Sequence, residues 1–135
     1  MQEVNIYKNL FSVEDRVALV TGGGTGIGKI IAEVLAKSGS KVYITSRKLD
    51  VIKKTAEEIN LTKPKYNVNF FSSDISSENG INKLVDEFIN NEKYLDILIN
   101  NSGVSWGAPL GNFPYHAWDR VCLLYTSPSP RDSFR

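Results

Sequence analysis

The chain has 135 residues, 41% hydrophobic and 23% charged, the balance of a globular chain of at most one domain. Sixteen Lys and Arg against fifteen Asp and Glu leave no surplus to draw nucleic acid or an anionic membrane. A single cysteine, Cys122, excludes an internal disulfide, no apolar run nears the ~20 residues of a membrane span, and residues 1–12 carry no signal core or basic transit pattern. A cytoplasmic protein is therefore expected.

Val17-Ala18-Leu19-Val20 is a short apolar run of the kind that forms a buried parallel strand. Ile27, Ile30, Ile31, Val34 and Leu35 then recur at helical spacing as one apolar stripe, and Gly39 suits the residue just past the helix end. Val42 to Thr45, β-branched and aromatic, reads as a second strand. Leu49 to Ile59 reads as a helix with Val51 or Ile52, Ala56 and Ile59 inward. Pro64 breaks the chain before a third strand, roughly 67–71. Ser77 with Gly80 makes a loose helix start, followed by the stripe Ile81, Leu84, Val85, Phe88 and Ile89. Leu95 to Ile99 is a fourth strand. This alternation predicts an α/β fold, a Rossmann-type doubly wound parallel sheet with helices on both faces. It is cut off after about four strands, in the order 3-2-1-4. A ligand is expected over the carboxyl ends of the strands, near the switch between strands 1 and 4.

Between the first strand and its helix lies Thr21-Gly22-Gly23-Gly24-Thr25-Gly26-Ile27-Gly28. Glycines at such a turn let backbone approach a ligand that a Cβ would push away, and the opening helix offers unpaired amides to a pyrophosphate. Gly22, Gly26 and Gly28 make T-G-x-x-x-G-x-G rather than the G-x-G-x-x-G of the common dinucleotide fingerprint. Gly23-x4-Gly28-Lys29 nearly matches a P-loop, but Ile30 has no hydroxyl for a metal ion. A glycine-rich turn with no ligand is the bland alternative. Dinucleotide binding fits the run best, through Gly22, Gly24, Thr25, Gly26, Ile27 and Gly28. Eighteen to twenty residues past Gly28, where an NAD site places an acid for the ribose hydroxyl, stand Ser46, Arg47 and Lys48. A guanidinium can pair with a 2′-phosphate there, so NADP is expected ahead of NAD, against the alternative of ordinary solvated charge.

The three-residue glycine gap resembles that of the short-chain dehydrogenase/reductases, and the resemblance runs over about residues 12–121. It implies that Asp74, after the third strand, contacts the adenine amino group with the Ile75 backbone beside it, although Asp74 could simply make an Asx turn. Asn100-Asn101-Ser102-Gly103 resembles the family's N-N-A-G, with Ser for Ala, and implies that Asn101, Ser102 and Gly103 steady the sheet beside the adenosine ribose. A plain turn is the alternative. The family's proton transfer uses a Tyr with a Lys four residues on. Here Tyr7, Tyr43, Tyr66, Tyr94, Tyr115 and Tyr125 are followed at that distance by Phe11, Arg47, Phe70, Leu98, Asp119 and Ser129. No catalytic residue and no metal ligand can be assigned; His116 reads as surface, and Trp106 and Trp118 as packing. Trp118 to Val121 resembles the start of the family's next helix. From Cys122 the string resembles translated sequencing adapter, a natural Ser/Pro-rich tail being the alternative.

The expected organisation is thus an extension (1–12), the NADP-binding part (13–121) and a non-native disordered tail (122–135), a fragment without the catalytic half. Asn9 to Val13 and Val42 to Ile44 resemble the 3-oxoacyl-carrier-protein reductase-like branch, rhamnolipid-pathway reductases among them. That implies hydride transfer between NADPH and a carbonyl or acyl small molecule in a homo-oligomeric parent enzyme, without nucleic-acid or membrane partners. A noncatalytic dinucleotide-binding module is the alternative. The glycosylation sequons at Asn60 and Asn100 are read as chance.

Overall fold

A computed structural model describes residues 10–103, 108–109, 111–112 and 114–117. In chain order the elements are β1 (Val17–Thr21), α1 (Gly26–Lys37), β2 (Lys41–Ser46), α2 (Leu49–Asn60), β3 (Asn69–Ser72), α3 (Glu78–Ile89) and β4 (Ile97–Ile99). The four strands are parallel in the order β3-β2-β1-β4, as the alternation predicted. The reversal of winding falls between β1 and β4.

Side chains alternate across the sheet and build two cores. Ala18, Val20, Val42 and Ile44 face α1 and α2, where Ala32, Ala36, Ile52, Ala56 and Ile59 meet them. Val17, Leu19 and Tyr43 face the other way, toward Leu84 and Phe88 of α3. The Tyr43 ring stacks on Phe71 at 5.3 Å and meets Phe88 edge-on at 5.4 Å. Its hydroxyl donates to Glu92 Oε1 at 2.6 Å, and Lys41 pairs with the same carboxylate. Burial and then the neighbouring Glu92 carboxylate push the Tyr43 phenol well above its ordinary range. Burial also pushes the Glu92 carboxyl up, but the bonds from Lys41 and Tyr43 outweigh it and leave Glu92 below its ordinary value.

The apolar stripe of α1 faces the sheet only through Ile31 and Leu35. Ile27, Ile30 and Val34 are 70%, 61% and 57% exposed, while Gly28, Ala32 and Ala36 are buried and Ile31 and Leu35 half-buried. Small residues four apart let this helix lie close on β1 and β2, and closeness here outranks side-chain bulk. In α3 the stripe splits the same way: Leu84 and Phe88 are buried, and Ile81, Val85 and Ile89 are exposed. With Leu98 of β4, these exposed residues line an apolar groove of about 480 Å³ beside the outer edge of β4.

Strand ends shift for identifiable reasons. The Asn60 side chain accepts the amide of Val68 at 2.7 Å and donates to its carbonyl at 3.1 Å, so β3 starts only at Asn69, two residues later than expected. That engagement also occupies the amide of one sequon. Ahead of β4, Asp96 Oδ2 accepts the amide of Val17 at 2.8 Å and takes over a rung that a Leu95 start would have filled. Gly39, at φ +86, closes α1 as expected: its amide reaches Ala36 O at 3.1 Å, and that of Ser40 reaches Leu35 O at 3.0 Å.

Contacts divide the chain into two units, Met1–Ser102 and Gly103–Arg135. In the second, Asn112 N donates to Pro109 O at 3.0 Å and Ala117 N to Pro114 O at 2.9 Å, with Ala117 buried. Residues 1–9 of the expected extension, Trp106, the helix start at Trp118 and the tail from Cys122 lie outside the described residues.

Candidate functional site

Thr21, the last residue of β1, organises the site from below. Buried at the sheet's carboxyl edge, its hydroxyl donates to Ile99 O at 3.3 Å and accepts the amides of Asn101 (3.0 Å) and Ser102 (3.1 Å). The Asn101 side chain reaches back, donating to Thr21 O at 3.3 Å and Gly22 O at 3.2 Å. The segment after β4 is thereby stitched to the glycine turn after β1, across the switch point where a ligand was expected. Sequence reasoning quoted Thr21 only as part of the glycine pattern and missed its role. The available signal was a polar residue ending an otherwise apolar buried strand.

Close packing explains the glycines. A Cβ on Gly28 would lie 2.2 Å from Gly22 O and 2.5 Å from Asn101 Nδ2, so the first turn of α1 can sit against the loop only without a side chain. Gly26, at φ +54, faces open space instead, with nothing within 4 Å of a Cβ position. Thr25 caps α1 in an extended conformation without a side-chain bond to the first-turn amides, whereas Ser77 accepts the Gly80 amide at 3.1 Å at the start of α3. Thr25, Gly26 and Ile27 are exposed, and the amides there have the polarity that suits a pyrophosphate. From the other side the loop is fixed by Thr55, whose hydroxyl donates to Gly24 O at 2.6 Å, and by Gly23 N donating to Thr45 O at 3.3 Å. Lys29, which a P-loop would aim at phosphates, pairs with Glu58 of α2. That removes the metal-nucleotide alternative's second requirement.

At the end of β2, Ser46 is half-buried with its hydroxyl 3.5 Å from a Cβ position on Gly24, so it borders the glycine loop directly. Arg47 and Lys48 follow, both exposed, Lys48 as the N-cap of α2. Asp50, the first acid beyond them, sits in the first turn of α2, where it complements the helix dipole. The structure thus gathers the glycine loop, Ser46, Arg47, Lys48, Asn101 and Ser102 at one edge of the sheet.

Asp74 follows β3 at the same edge. Its Oδ1 accepts the Ser76 amide at 3.1 Å and the Ser76 hydroxyl at 2.6 Å, so the Asx turn weighed from sequence is present. Ile75 is half-buried and contributes to the top of the apolar groove with Thr21 and Asn100. A Cβ on Gly80 would lie 1.9 Å from Asp74 O, which makes Gly80 part of this turn although sequence gave it only a loose helix start. Gly103 is exposed and opens the second unit, so it is not placed relative to the others.

Among the described residues of the first unit, no tyrosine is set up for proton transfer at this edge; Tyr94 is exposed ahead of β4. Tyr43 is buried against Glu92, and Tyr66 donates to Asp15 ahead of β1, at the opposite end of the sheet. Among the described residues no three His, Cys, Asp or Glu side chains group to hold a metal ion, and no helix is long and apolar enough to cross a membrane.

Comparison with known proteins agrees with this geometry. The family model for short chain dehydrogenase matches residues 16–125. A rhamnolipids biosynthesis 3-oxoacyl-[acyl-carrier-protein] reductase of Pseudomonas aeruginosa is 38% identical over 114 residues, covering 84% of this chain and 43% of its own length. The solved Pseudomonas aeruginosa RhlG/NADP active-site complex superposes with a TM-score of 0.79 at 35% identity, over 92% of this chain and 46% of that one. A metagenomic short-chain oxidoreductase solved in complex with NADP gives 0.74 at 29% identity, over 84% of this chain and 51% of that one. The chain therefore spans about half the length of the proteins it matches. A parallel 3-2-1-4 sheet, a glycine loop stitched to the segment after β4, and these matches place the chain in the short-chain dehydrogenase/reductase family.

Proposed function

We propose that this chain is the cofactor-holding part of an NADP(H)-dependent oxidoreductase acting on a carbonyl small molecule, with 3-oxoacyl compounds as the substrate class. The observation that carries it is the end of β2: Ser46 borders the glycine loop, and Arg47 and Lys48 stand where an acid would select the unphosphorylated ribose. What supports a dinucleotide here is Gly26, whose Cβ position has nothing within 4 Å, so that bare backbone faces outward at the start of α1. In this reading Gly22 to Gly28 hold the pyrophosphate on backbone amides. Ser46, Arg47 and Lys48 take the 2′-phosphate, Asp74 and Ile75 border the adenine, and Asn101 and Ser102 border the ribose. When bound, the nicotinamide supplies or accepts the hydride. The substrate class is drawn from the relative named as a 3-oxoacyl reductase, whose match covers most of this chain.

We further propose that these 135 residues bind without turning over, since no Tyr of the chain has a Lys four residues on. The parent enzyme is taken as a cytoplasmic homo-oligomer, independent of nucleic acid and membrane. Titration of the chain with NADPH and NADH, followed by quenching of its two tryptophans, tests the binding. Tighter binding of NADPH, with no NADPH oxidation on adding a 3-oxoacyl thioester, is the expected result. Binding of neither dinucleotide would refute it. A noncatalytic module is the second reading, favoured by the same lack of a Tyr-Lys pair; a parent gene encoding Tyr-x-x-x-Lys downstream would decide against it.

A further inference from the structure

The end of β2 carries a support that neither the glycine pattern nor the cationic pair reveals. Three successive carbonyls there are each taken by a different donor. Thr45 O accepts Gly23 N of the glycine loop at 3.3 Å, and Ser46 O accepts Ser73 N at 3.0 Å as the last rung between β2 and β3. Arg47 O lies one residue beyond the ladder, where no strand amide remains to meet it. The Ser72 hydroxyl donates to it at 3.3 Å. Ser72 is paired in register with Ser46, so its side chain prolongs the sheet's hold by one residue, onto the residue that bears the guanidinium. Ser72 is itself tied from the other side: Lys83 Nζ of α3 donates to its carbonyl at 3.4 Å. A chain of contacts therefore runs from α3 through the end of β3 to the turn that carries Arg47.

We infer that Ser72 is a positioning residue for recognition of the cofactor's 2′-phosphate, acting through the backbone of Arg47. This rests on the NADP(H) reading above. Arg47 is exposed, and a long side chain on an unanchored turn reaches its phosphate in only a fraction of conformations. Apparent affinity falls in proportion to that fraction, so fixing the Cα of Arg47 raises the share of molecules ready to bind. The effect reaches only a ligand that bears the phosphate. NADH, which lacks it, keeps the glycine loop, the adenine border at Asp74 and Ile75 and the segment after β4, while the Ser72 hydroxyl is spent on Arg47 O.

The test compares the chain as it is with Ser72→Ala and Ser72→Thr, each titrated with NADPH and NADH and melted by circular dichroism. Ser72→Ala is expected to weaken NADPH about threefold to fivefold, within what one neutral hydrogen bond can supply. NADH affinity and melting temperature should stay where they were, and Ser72→Thr, which keeps the hydroxyl, should restore NADPH. Equal weakening of both dinucleotides, or no change in either while the parent chain still prefers NADPH, overturns the positioning role and leaves the cofactor reading intact. A parent chain with no preference for NADPH removes the cofactor reading and this inference with it. If Ser72→Ala melts early, the Thr variant decides: a threonine that restores stability but not NADPH preference counts against the role.

Discussion

Replacing Gly28 by alanine tests the joint between the glycine loop and the segment after β4. The added Cβ would sit 2.2 Å from Gly22 O and 2.5 Å from Asn101 Nδ2, where ordinary contact begins at 3.4 Å. Both neighbours must therefore retreat by about 1 Å, the scale of misfit at which overpacking costs about 1–3 kcal/mol. Asn101 Nδ2 is the donor to Thr21 O and Gly22 O, so its retreat gives up two hydrogen bonds of roughly 0.5–1.5 kcal/mol each. Against this, alanine favours the helix over glycine by up to about 1 kcal/mol. The balance is a loss of about 1–5 kcal/mol, near 3 at the midpoints, where the melting temperature falls by roughly 10–15 °C, together with loss of NADPH binding as the loop is displaced. Thermal denaturation followed by circular dichroism measures the first and NADPH titration the second. Gly26→Ala is the control. Its Cβ meets nothing, so its cost is the left-handed backbone alone, about 1–2 kcal/mol. A Gly28→Ala protein as stable as the parent would show that the loop and Asn101 are not packed as described.

Other outcomes follow from single contacts. Thr45 is 1% exposed and its hydroxyl has no hydrogen-bond partner among the described residues, so Thr45→Val should be neutral or stabilising by up to about 1 kcal/mol in urea unfolding; a loss of that size would mean the hydroxyl is bonded. Glu92→Gln should cost about 1–2 kcal/mol at pH 7, because it removes the charge that Tyr43 and Lys41 donate to. The Glu92 carboxyl is held below its ordinary 4.5, so its contribution is present above that value and is lost as pH falls through the lower folded value. The stability gap between parent and variant should therefore close on acidification below about pH 4, and a gap independent of pH would contradict the pairing. Gly26→Val should abolish NADPH binding while the far-ultraviolet spectrum stays near that of the parent; an unchanged dissociation constant would show that this loop does not hold the phosphates.

Strand order and the identity of the four strands and three helices of the sheet unit could be read from periodicity and turn chemistry, because both are local consequences of which side chains must be buried. Contacts distant in sequence could not. The exposed face of α1 was misjudged because hydropathy ranks Ile27, Ile30 and Val34 above Ala32 and Ala36, while the sheet selects for closeness. The start of β3 moved because one asparagine, Asn60, takes both backbone groups of Val68 from eight residues away. In the site, the glycine loop and the cations after β2 were legible as patterns. Thr21 and Ser72 were not, since each acts through a carbonyl or amide that only the folded chain brings within reach.

The central claim is that this chain selects the phosphorylated dinucleotide through the end of β2, and Arg47→Asp tests it most directly. Dissociation constants for NADPH and NADH would be measured side by side on parent and variant at one ionic strength. The parent should bind NADPH more tightly. The variant loses a charge-assisted phosphate contact of about 1.5–3 kcal/mol, roughly a 10- to 150-fold weakening, with NADH unaffected. Equal losses for the two dinucleotides, or none for either, would contradict it.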